Sequence, residues 1–471
     1  MANPRLTRRH FLQLTGGALG LTALAACAPV APAAPAPAAG GQAAGGKISV
    51  AKDTPLWVVY QEDFHPDYNA FIKKSLEDFG AAKGYPMEIA TTAGFVAGGA
   101  DIQKMAAAVA SGTAPDIWHY TSSIFQLKKL DLVLPVTDIV KDLVGKYGAI
   151  APRPDKEAAT EGEYYAVPYH VRSDGGWARK DIWDAAGIDV IKLRTFDELR
   201  EACLQVSNPD KQIWGWGMTV NRGGDGAFLV DRVIQGFGGA FVDETGQFVT
   251  IDSPETVAAV EWLVDTYKNP KWEKMLPAGV LSWTDPSNNE AYLGGKTAYT
   301  QNAGTVFAKA VLDKNPVAPN TIWDKPKGGP KLKEFFGLSS KNWFMLKNGK
   351  NPEAARELIN SFFTDDMLKA VYKNATSYAL PAYEKMWDWP EISGVPNSII
   401  QKQGALDPSG WNGLAYPGPG TPQISAVGSA NIDTDIVAAV LGGQATAAEA
   451  VQQASEKMIK IFKEMGAPGT K

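Results

Sequence analysis

The sequence predicts an α/β fold divided into two lobes, and three observations support this. The chain has 471 residues, and the part from Lys47 onward is far longer than the ~200 residues that one hydrophobic core usually serves. Apolar strand patterns alternate with amphipathic helix patterns, which is typical of parallel sheets with crossover helices. The same alternation recurs in the second half of the chain, so we expect a separate sheet in each lobe.

The first alternation lies in the region that ends near residue 121. An apolar run at 55–61 predicts a buried strand. The stripe formed by Tyr68, Ile72 and Leu76 predicts that an amphipathic helix follows it. The other elements predicted here are a strand at 87–92, a helix that starts at Asp101 and ends at Gly112, and a strand at 116–121.

Helix start signals mark the second alternation. Thr195 and Glu198 have the spacing of a capping box, which predicts a helix from there to Ser207. Thr446 and Glu449 repeat this pattern before a last amphipathic helix. The other predicted elements are extended segments at 164–171, 177–179 and 214–220, helices that begin at Ser253-Pro254 and Asn351-Pro352, and an irregular stretch at 381–436.

The N-terminus has the composition of an export signal. Arg5, Arg8 and Arg9 precede an apolar run, and no acidic residue occurs in 1–26. The run is shorter than the ~20 apolar residues of a comfortable membrane span. We therefore expect 1–26 to be an export signal. The Ala/Pro/Gly-rich segment 27–46 is expected to be an unfolded linker.

Two motifs refine this prediction. Residues 7–12, TRRHFL, resemble a twin-arginine (Tat) signal. Residues 24–27, LAAC, resemble a bacterial lipobox, which implies that Cys27 carries a lipid and anchors the protein to a membrane outside the cytoplasm. The alternative is a plain signal with a chance cysteine.

Composition excludes several classes of function. The formal net charge of −5 becomes more negative once the signal arginines are removed, which argues against binding of nucleic acid or of an anionic membrane surface. Cys203 is the only cysteine after Cys27, so no intrachain disulfide is expected in the mature protein. No nucleophile elbow, zinc-protease motif or phosphate-binding loop occurs, so we expect no enzyme activity and no cofactor.

Five segments, in order, resemble one family. They are MAAAVASGTAPDIW from Met105, EGEYYAVPYHVRSDGGWARKDIWDAAGI from Glu161, TFDELREACLQV from Thr195, EAYLGGKTAYTQNAG from Glu290 and SSKNWFMLKNGKNPEAARELINSFF from Ser339. They are similar to segments of extracellular solute-binding proteins of ABC importers, in the maltose-binding-like, carbohydrate branch. The resemblance covers essentially everything after residue 47.

This resemblance implies a two-lobed fold of the periplasmic-binding-protein-like (type II) class, with a ligand cleft between the lobes that closes by hinge motion. The expected ligand is a sugar or oligosaccharide, the expected partners are the permease subunits of an ABC importer, and the expected state is a monomer. The first lobe is expected to comprise 47–170 plus 301–378, and the second 171–300 plus 379–471, with crossings near 169–173, 299–303 and 377–381.

Sugars present C–H faces and hydroxyls, so we expect aromatic, acidic, amide and arginine side chains at strand ends to bind them. The resembling maltose-binding proteins have a stacking aromatic at the position of Tyr120. They have an acidic contact where this chain has Arg172, which puts maltose-like specificity in doubt. The contacts predicted in the first lobe or at its border are Glu62, Asp63, Trp118, Tyr120, Tyr169, Arg172 and Trp343. Those predicted in the rest of the chain are Asp225, Trp283, Asp285, Asn302, Trp411 and Tyr416. Core packing is the alternative for each aromatic.

Two other functions remain open. A glycoside hydrolase needs only a suitable pair of carboxylates, which composition does not exclude. A metal-binding protein of the same fold is the second alternative, because His65, His119 and His170 all follow predicted strands and histidine is a common metal ligand. No two of these histidines have close ligand spacing, so we expect no metal site.

Overall fold

The computed structural model describes residues 53–93, 100–173, 175–333, 338–406 and 413–471. The predicted export signal, the linker and Cys27 lie outside these residues. The strands are β1 (Leu56–Glu62), β2 (Met87–Ala93), β3 (Ile117–Thr121), β4 (Ala159–Thr160), β5 (Glu163–Tyr164), β6 (Val167–Ser173), β7 (Gly175–Arg179), β8 (Trp214–Trp216), β9 (Thr297–Asn302), β10 (Thr321–Asp324), β11 (Leu338–Met345) and β12 (Leu380–Pro381).

The helices alternate with these strands along the chain. They are α1 (Pro66–Lys83), α2 (Ala100–Ala110), α3 (Ile124–Lys129), α4 (Thr137–Tyr147), α5 (Pro152–Ala158), α6 (Lys180–Ala185), α7 (Phe196–Val206), α8 (Gly224–Phe237), α9 (Pro254–Lys268), α10 (Asp285–Leu293), α11 (Thr305–Leu312), α12 (Pro352–Ser361), α13 (Asp365–Asn374), α14 (Pro390–Ser393), α15 (Pro396–Ala405), α16 (Pro422–Ser429), α17 (Ile432–Leu441) and α18 (Ala447–Glu464).

The first lobe is built on a six-stranded sheet in the order β12-β6-β11-β3-β1-β2. β1 is parallel to β2 and β3, whereas β11 is antiparallel to β3 and β6. Leu56, Val58 and Tyr60 face one apolar cluster and Val59 faces another. β1 is therefore apolar on both faces, as parallel strands covered by helices usually are.

The second lobe is built on a four-stranded sheet in the order β10-β7-β9-β8. Its core joins the sheet to α7, α8, α9, α17 and α18 through buried residues that include Trp216, Leu229 and Val451. Among the described residues, one stretch, Pro422–Leu441, is long and apolar enough to cross a membrane. It forms the two separate helices α16 and α17, whose buried apolar residues belong to this core.

The two sheets confirm the predicted two-lobed α/β fold. Contacts also join the lobes away from the sheets, because α16 lies against α3 of the first lobe. The hydroxyls of Ser123 and Ser425 are 3.2 Å apart, and the hydroxyl of Ser429 donates to Gln126 Oε1 at 3.2 Å.

The chain first changes sheets next to the predicted crossing at 169–173, whereas its two later changes differ from prediction. It leaves the first sheet after Ser173 and enters the second at Gly175. The predicted return at 299–303 is wrong, because β10 pairs with β7 and the chain rejoins the first sheet only at β11. The predicted departure at 377–381 is also wrong, because β12 pairs with β6 and Trp387 and Ile392 belong to the first-lobe core.

Local signals for helix starts agree closely with the structure. The capping boxes at Thr195 and Thr446 are both formed. Asp101 lies in the first turn of α2 rather than capping it. The stretch at 381–436 is largely helical where it is described, contrary to prediction, because Pro390, Pro396 and Pro422 each begin a helix.

Candidate functional site

Residues of both lobes line one cavity. Its empty volume is about 560 Å³, including the part open to solvent. We call it the central cleft. The residues that line it are Asp63, Phe64 and Arg172 from the first lobe, and Gly224, Asp225, Phe228, Asp285, Asn289, Asn302, Ala303 and Thr305 from the rest of the chain.

A buried ion pair supports the first-lobe wall of the central cleft. Asp63 directly follows β1, and Lys341 lies on β11 beside a register shift in the pairing of β11 with β6. Lys341 Nζ donates to Asp63 Oδ2 at 2.5 Å and to the Gln61 carbonyl at 2.7 Å. Lys341 thus joins the end of β1 to β11 and positions the Asp63 carboxylate at the cleft.

Arg172 is held beside this pair. Its Nε donates to Ser339 Oγ at 2.7 Å, and its Nη1 lies 3.5 Å from the hydroxyl of Tyr378. Burial alone raises the pKa of Asp63, but the positive charges of Lys341 and Arg172 outweigh it and bring the pKa below its ordinary value. Asp63 is therefore ionised at neutral pH.

Carboxyl and amide groups form the second-lobe wall. Asp225 lies in the first turn of α8, and Asp285 is the first residue of α10. The backbone N–H of Asp225 donates to Asp285 Oδ1 at 3.1 Å. Asp225 Oδ2 accepts hydrogen bonds from the side-chain amides of Asn288 at 2.7 Å and Asn302 at 2.9 Å. These amides fix the orientation of the Asp225 carboxylate.

Asn302 connects the cleft to the start of α11. Its Oδ1 accepts hydrogen bonds from the backbone N–H of Gly304 at 3.0 Å and from the hydroxyl of Thr305 at 3.1 Å. Its amide nitrogen also donates to Asn289 Oδ1 at 2.6 Å. The side-chain amides at the cleft therefore form a connected, oriented network, which suits recognition of a ligand by directed hydrogen bonds.

Burial raises the pKa of the Asp285 carboxyl. The backbone N–H groups of Asp225 and Gly224 and the positive charge of Arg172 oppose this effect. Arg172 and Asp285 thus interact electrostatically from opposite lobes across the cleft. Together the walls present carboxylates, amides, a guanidinium and the rings of Phe64 and Phe228, groups that can accept from and donate to hydroxyls and cover an apolar face.

The structure brings six of the predicted site residues to this region. Asp63, Arg172, Asp225, Asp285 and Asn302 line the central cleft. Glu62 lines an adjoining cavity, together with Asp63, Phe64 and Lys309. Their contact with a ligand stays a prediction.

Three predicted aromatic contacts lie in the first-lobe core instead. Trp118, Tyr169 and Trp343 are each 0% exposed. Trp343 stacks on His119 with ring centroids 4.1 Å apart, and Tyr169 packs edge-on against Trp343 and Phe362. Their assignment as ligand contacts is wrong, because β3, β6 and β11 lie inside a sheet that is covered on both faces.

The remaining predicted residues do not line the central cleft. Tyr120 is half-buried and stacks on Trp118, with centroids 4.1 Å apart, and burial raises its pKa to about 12. Trp283 packs against the second-lobe core, and Tyr416 is half-buried in the second lobe. Trp411 lies outside the described residues.

The three histidines of the metal alternative are buried in the first lobe. His65 Nδ1 accepts from the backbone N–H of Tyr68 at 3.4 Å, and the Tyr68 hydroxyl lies 3.5 Å from His170 Nε2. Burial lowers the pKa of all three histidines, to about 3 for His170. Among the described residues, no group of three His, Cys, Asp or Glu side chains is arranged to hold a metal ion.

Sequence reasoning missed several cleft residues. The strand-end rule that identified Asp63 would also have included Phe64, the next residue. Phe228, Asn289 and Thr305 lie on helices instead. None of these three helices was predicted, so the sequence analysis had no signal that placed these residues at the cleft.

Comparison with known proteins assigns the family. The profile of the family described as "Bacterial extracellular solute-binding protein" matches residues 35–369. A maltotriose-binding protein from Pyrococcus abyssi is 24% identical over 267 residues, or 53% of this chain and 54% of that protein. An arabinooligosaccharide-binding protein from Halalkalibacterium halodurans is 30% identical over 175 residues, or 36% of this chain and 37% of that protein.

The matched segments thus span about half or less of the length of these curated relatives. A solved structure extends the likeness in fold. The maltose-bound T. maritima MalE3 superposes with a TM-score of 0.73 at 20% identity, covering 86% of this chain and 99% of that one. The two-lobed fold and the family match over most of the chain lead to one conclusion: this chain belongs to the bacterial extracellular solute-binding proteins.

Proposed function

We propose that the protein captures a carbohydrate outside the cytoplasm and delivers it to an ABC importer. The observation that carries this proposal is the central cleft, in which side chains from both lobes place carboxylates, amides and a guanidinium beside two phenyl rings. The names of the relatives support the choice of ligand, because the two described above bind maltotriose and an arabinooligosaccharide.

The chemistry of the walls suits a polyhydroxylated ligand. Carboxylates such as Asp63 and Asp225 accept hydrogen bonds from sugar hydroxyls, and Arg172 donates to them. Charge-assisted hydrogen bonds of this kind are roughly twice as strong as neutral ones. Phe64 and Phe228 supply flat apolar surfaces for the C–H faces of a sugar ring.

Delivery requires that a bound ligand change the shape of the protein. Each lobe supplies only part of the cleft, so a ligand that contacts both walls stabilises the closed arrangement of the lobes. The permease subunits of the importer are the partners that would distinguish closed from open protein. This role needs reversible binding and no catalysis.

A thermal-shift screen of the mature domain tests the proposal. A ligand at a hundredfold excess over its Kd stabilises the folded state by about 2.7 kcal/mol. For a domain of 150–250 residues each kcal/mol raises the melting temperature by roughly 2–4 °C, so we expect a rise of several degrees with one or more mono-, di- or oligosaccharides. Zinc, manganese, iron and oligopeptides are screened beside them.

A matched pair of variants ties the effect to the cleft. Arg172→Met should remove most of the ligand-induced shift. Arg356→Met should keep it, because Arg356 pairs with Asp138 on the surface of the first lobe. A large shift with metals or peptides alone would overturn the carbohydrate proposal. Release of product from a chromogenic glycoside would instead favour a hydrolase.

We also propose that the protein is a Tat-exported lipoprotein anchored through Cys27. Its support is the lipobox at residues 24–27 and the Ala/Pro/Gly-rich segment that follows. A capture protein that diffuses freely is lost from a cell without an outer barrier, so anchoring suits this role. Cys27→Ser should move the protein from the membrane fraction to the soluble fraction, and retention in the membrane would exclude this anchor.

A further inference from the structure

The adjoining cavity lined by Glu62 lies beside α1, because Asn69, Ala70 and Lys73 of that helix also line it. Its empty volume is about 910 Å³, including the part open to solvent. Pockets for small ligands usually measure about 300–1,000 Å³. The adjoining cavity is therefore large enough to hold part of a ligand in addition to the part in the central cleft.

Two separate segments of the chain line both cavities. At the end of β1, Asp63 and Phe64 line the central cleft and the adjoining cavity alike. On α11, Thr305 lines the central cleft and Lys309 lines the adjoining cavity. Residues four positions apart lie on the same face of a helix, about 6 Å apart along its axis. The same two walls therefore continue from one cavity into the other.

Hydrogen bonds hold the wall segment that both cavities share. The Asn69 side chain accepts from the backbone N–H of Asp63 at 3.0 Å and donates to the Asp63 carbonyl at 2.8 Å. Lys341 holds the Asp63 carboxylate from within the first lobe. Because the backbone and the side chain of Asp63 are both fixed, a ligand that contacts this segment needs to order little of the protein when it binds.

The adjoining cavity presents groups that suit another sugar unit. Glu62 is half-buried there, and its carboxylate can accept hydrogen bonds from hydroxyls. Lys309 pairs with Asp313 at 2.7 Å, but an ammonium carries three N–H groups and can also donate to a hydroxyl. Tyr60 and Phe64 supply aromatic surface for the C–H face of a sugar ring.

We propose that the protein binds oligosaccharides in preference to monosaccharides. One sugar unit lies in the central cleft, the glycan crosses the Asp63–Phe64 segment, and the next unit lies in the adjoining cavity against Glu62 and Lys309. The loss of translational and rotational freedom on binding occurs once for the whole glycan, so the contacts of the second unit add to its affinity. This inference rests on the proposed function.

Calorimetric titration of the mature protein with chain-length series tests this preference. The probes are glucose with maltose and maltotriose, glucose with cellobiose and cellotriose, xylose with xylobiose and xylotriose, and arabinose with arabinobiose and arabinotriose. Any other oligosaccharide identified in the thermal-shift screen is compared with its own monosaccharide units. In at least one series we expect the disaccharide to bind at least about tenfold tighter than the monosaccharide, which is the effect of one hydrogen bond to a charged group.

A first pair of variants tests the carboxylate of the adjoining cavity. Glu62→Ala removes a hydrogen-bond acceptor and should lower the ratio of disaccharide to monosaccharide affinity about tenfold. Glu88→Ala is the control, because Glu88 is exposed on β2 and pairs with Trp57 near the other end of β1. Its loss should leave that ratio unchanged.

A second pair of variants tests the space in the adjoining cavity. Ala70→Leu adds bulk there without a hydrogen-bonding group and should lower the same ratio at least about fivefold. Ala81→Leu should leave the ratio unchanged, because Ala81 is also exposed on α1 but lies about 16 Å further along the helix. Circular dichroism and the melting temperature show whether each variant folds.

The outcomes separate this inference from the proposed function. If only monosaccharides bind, or if each binds as tightly as its di- and trisaccharide, the inference is wrong and carbohydrate binding stands. If no carbohydrate binds in the titration or the thermal-shift screen, the proposed function is wrong and the inference fails with it. A ratio that neither Glu62→Ala nor Ala70→Leu lowers overturns the assignment to the adjoining cavity.

Discussion

At the scale of single residues, the buried pair of Asp63 and Lys341 determines how the first-lobe wall is held. The side chains of Lys341 and Asp63 are 1% and 4% exposed. Removing one member of a buried ion pair leaves an uncompensated charge in the interior, which is strongly destabilising. A buried ion pair is weak evidence that a protein is stable. Because this pair lies beside the cleft, we infer that it orients the side chains that bind the ligand.

We therefore predict that Lys341→Met destabilises the mature domain by about 3–5 kcal/mol, measured by urea unfolding at pH 7. Lys347→Met is the control. Lys347 follows the same strand but pairs with Asp131 at the surface, so its loss should change the free energy of unfolding by about 0.5 kcal/mol or less. Equal stability of the two variants would contradict a structural role for the buried pair.

The pKa of Asp63 gives this prediction a pH dependence. Its folded-state pKa is lowered, because Lys341 and Arg172 overcome the effect of burial. The stabilisation is therefore complete above the ordinary aspartate pKa and is lost as the pH falls through the folded-state value. The difference in stability between the parent and Lys341→Met should shrink at acidic pH, and a difference that grows there would refute the assignment.

Single residues also show what sequence reasoning could reach. Asp63 was identifiable because it follows a buried strand, where the ends of neighbouring strands converge. Trp118 and Trp343 lie within strands and were also predicted as contacts, but both face the core. Which face a strand residue points to depends on what covers the sheet, and a sheet covered on both sides buries both faces.

At the scale of elements, local chemistry was a reliable guide to where helices begin. Thr195 with Glu198 and Thr446 with Glu449 form capping boxes in which each side chain satisfies a backbone donor of the other. The stretch at 381–436 was predicted to be irregular because it is rich in Gly, Pro, Trp and Asn. Proline at a first helical position loses no hydrogen bond, so Pro390, Pro396 and Pro422 begin helices.

Three helices begin at the central cleft, and this convergence lies beyond local patterns. Gly224, Asp285 and Thr305 are the first residues of α8, α10 and α11, and all three line the cavity. Asp225 and Asp285 are 60 residues apart in sequence, yet they are joined by a hydrogen bond. Only the packing of these helices around β9 brings the carboxylates together, so the sequence identified them separately and not as a pair.

At the scale of the whole molecule, two lobes were predictable and their borders were not. The chain length and the repeated alternation indicated two sheets. Whether a strand joins one sheet or the other depends on pairing over long distances: β10 pairs with β7, and β12 pairs with β6. No local pattern encodes such partners, which explains why both later crossings were misplaced.

The division of the cleft between two lobes leads to a prediction about shape. Side-chain hydrogen bonds between α3 and α16 already join the two lobes. A carbohydrate that contacts both Arg172 and Asp285 would add attraction between them. A ligand can shift the population toward the closed form only by as much as it binds that form more tightly than the open form.

Small-angle scattering of the mature domain should therefore show a smaller radius of gyration with a saturating sugar identified in the thermal-shift screen. Arg172→Met, at ligand concentrations that saturate the parent, should show a smaller change because it binds more weakly. An unchanged radius at demonstrated saturation would mean that binding does not move the lobes, and delivery would then need another signal.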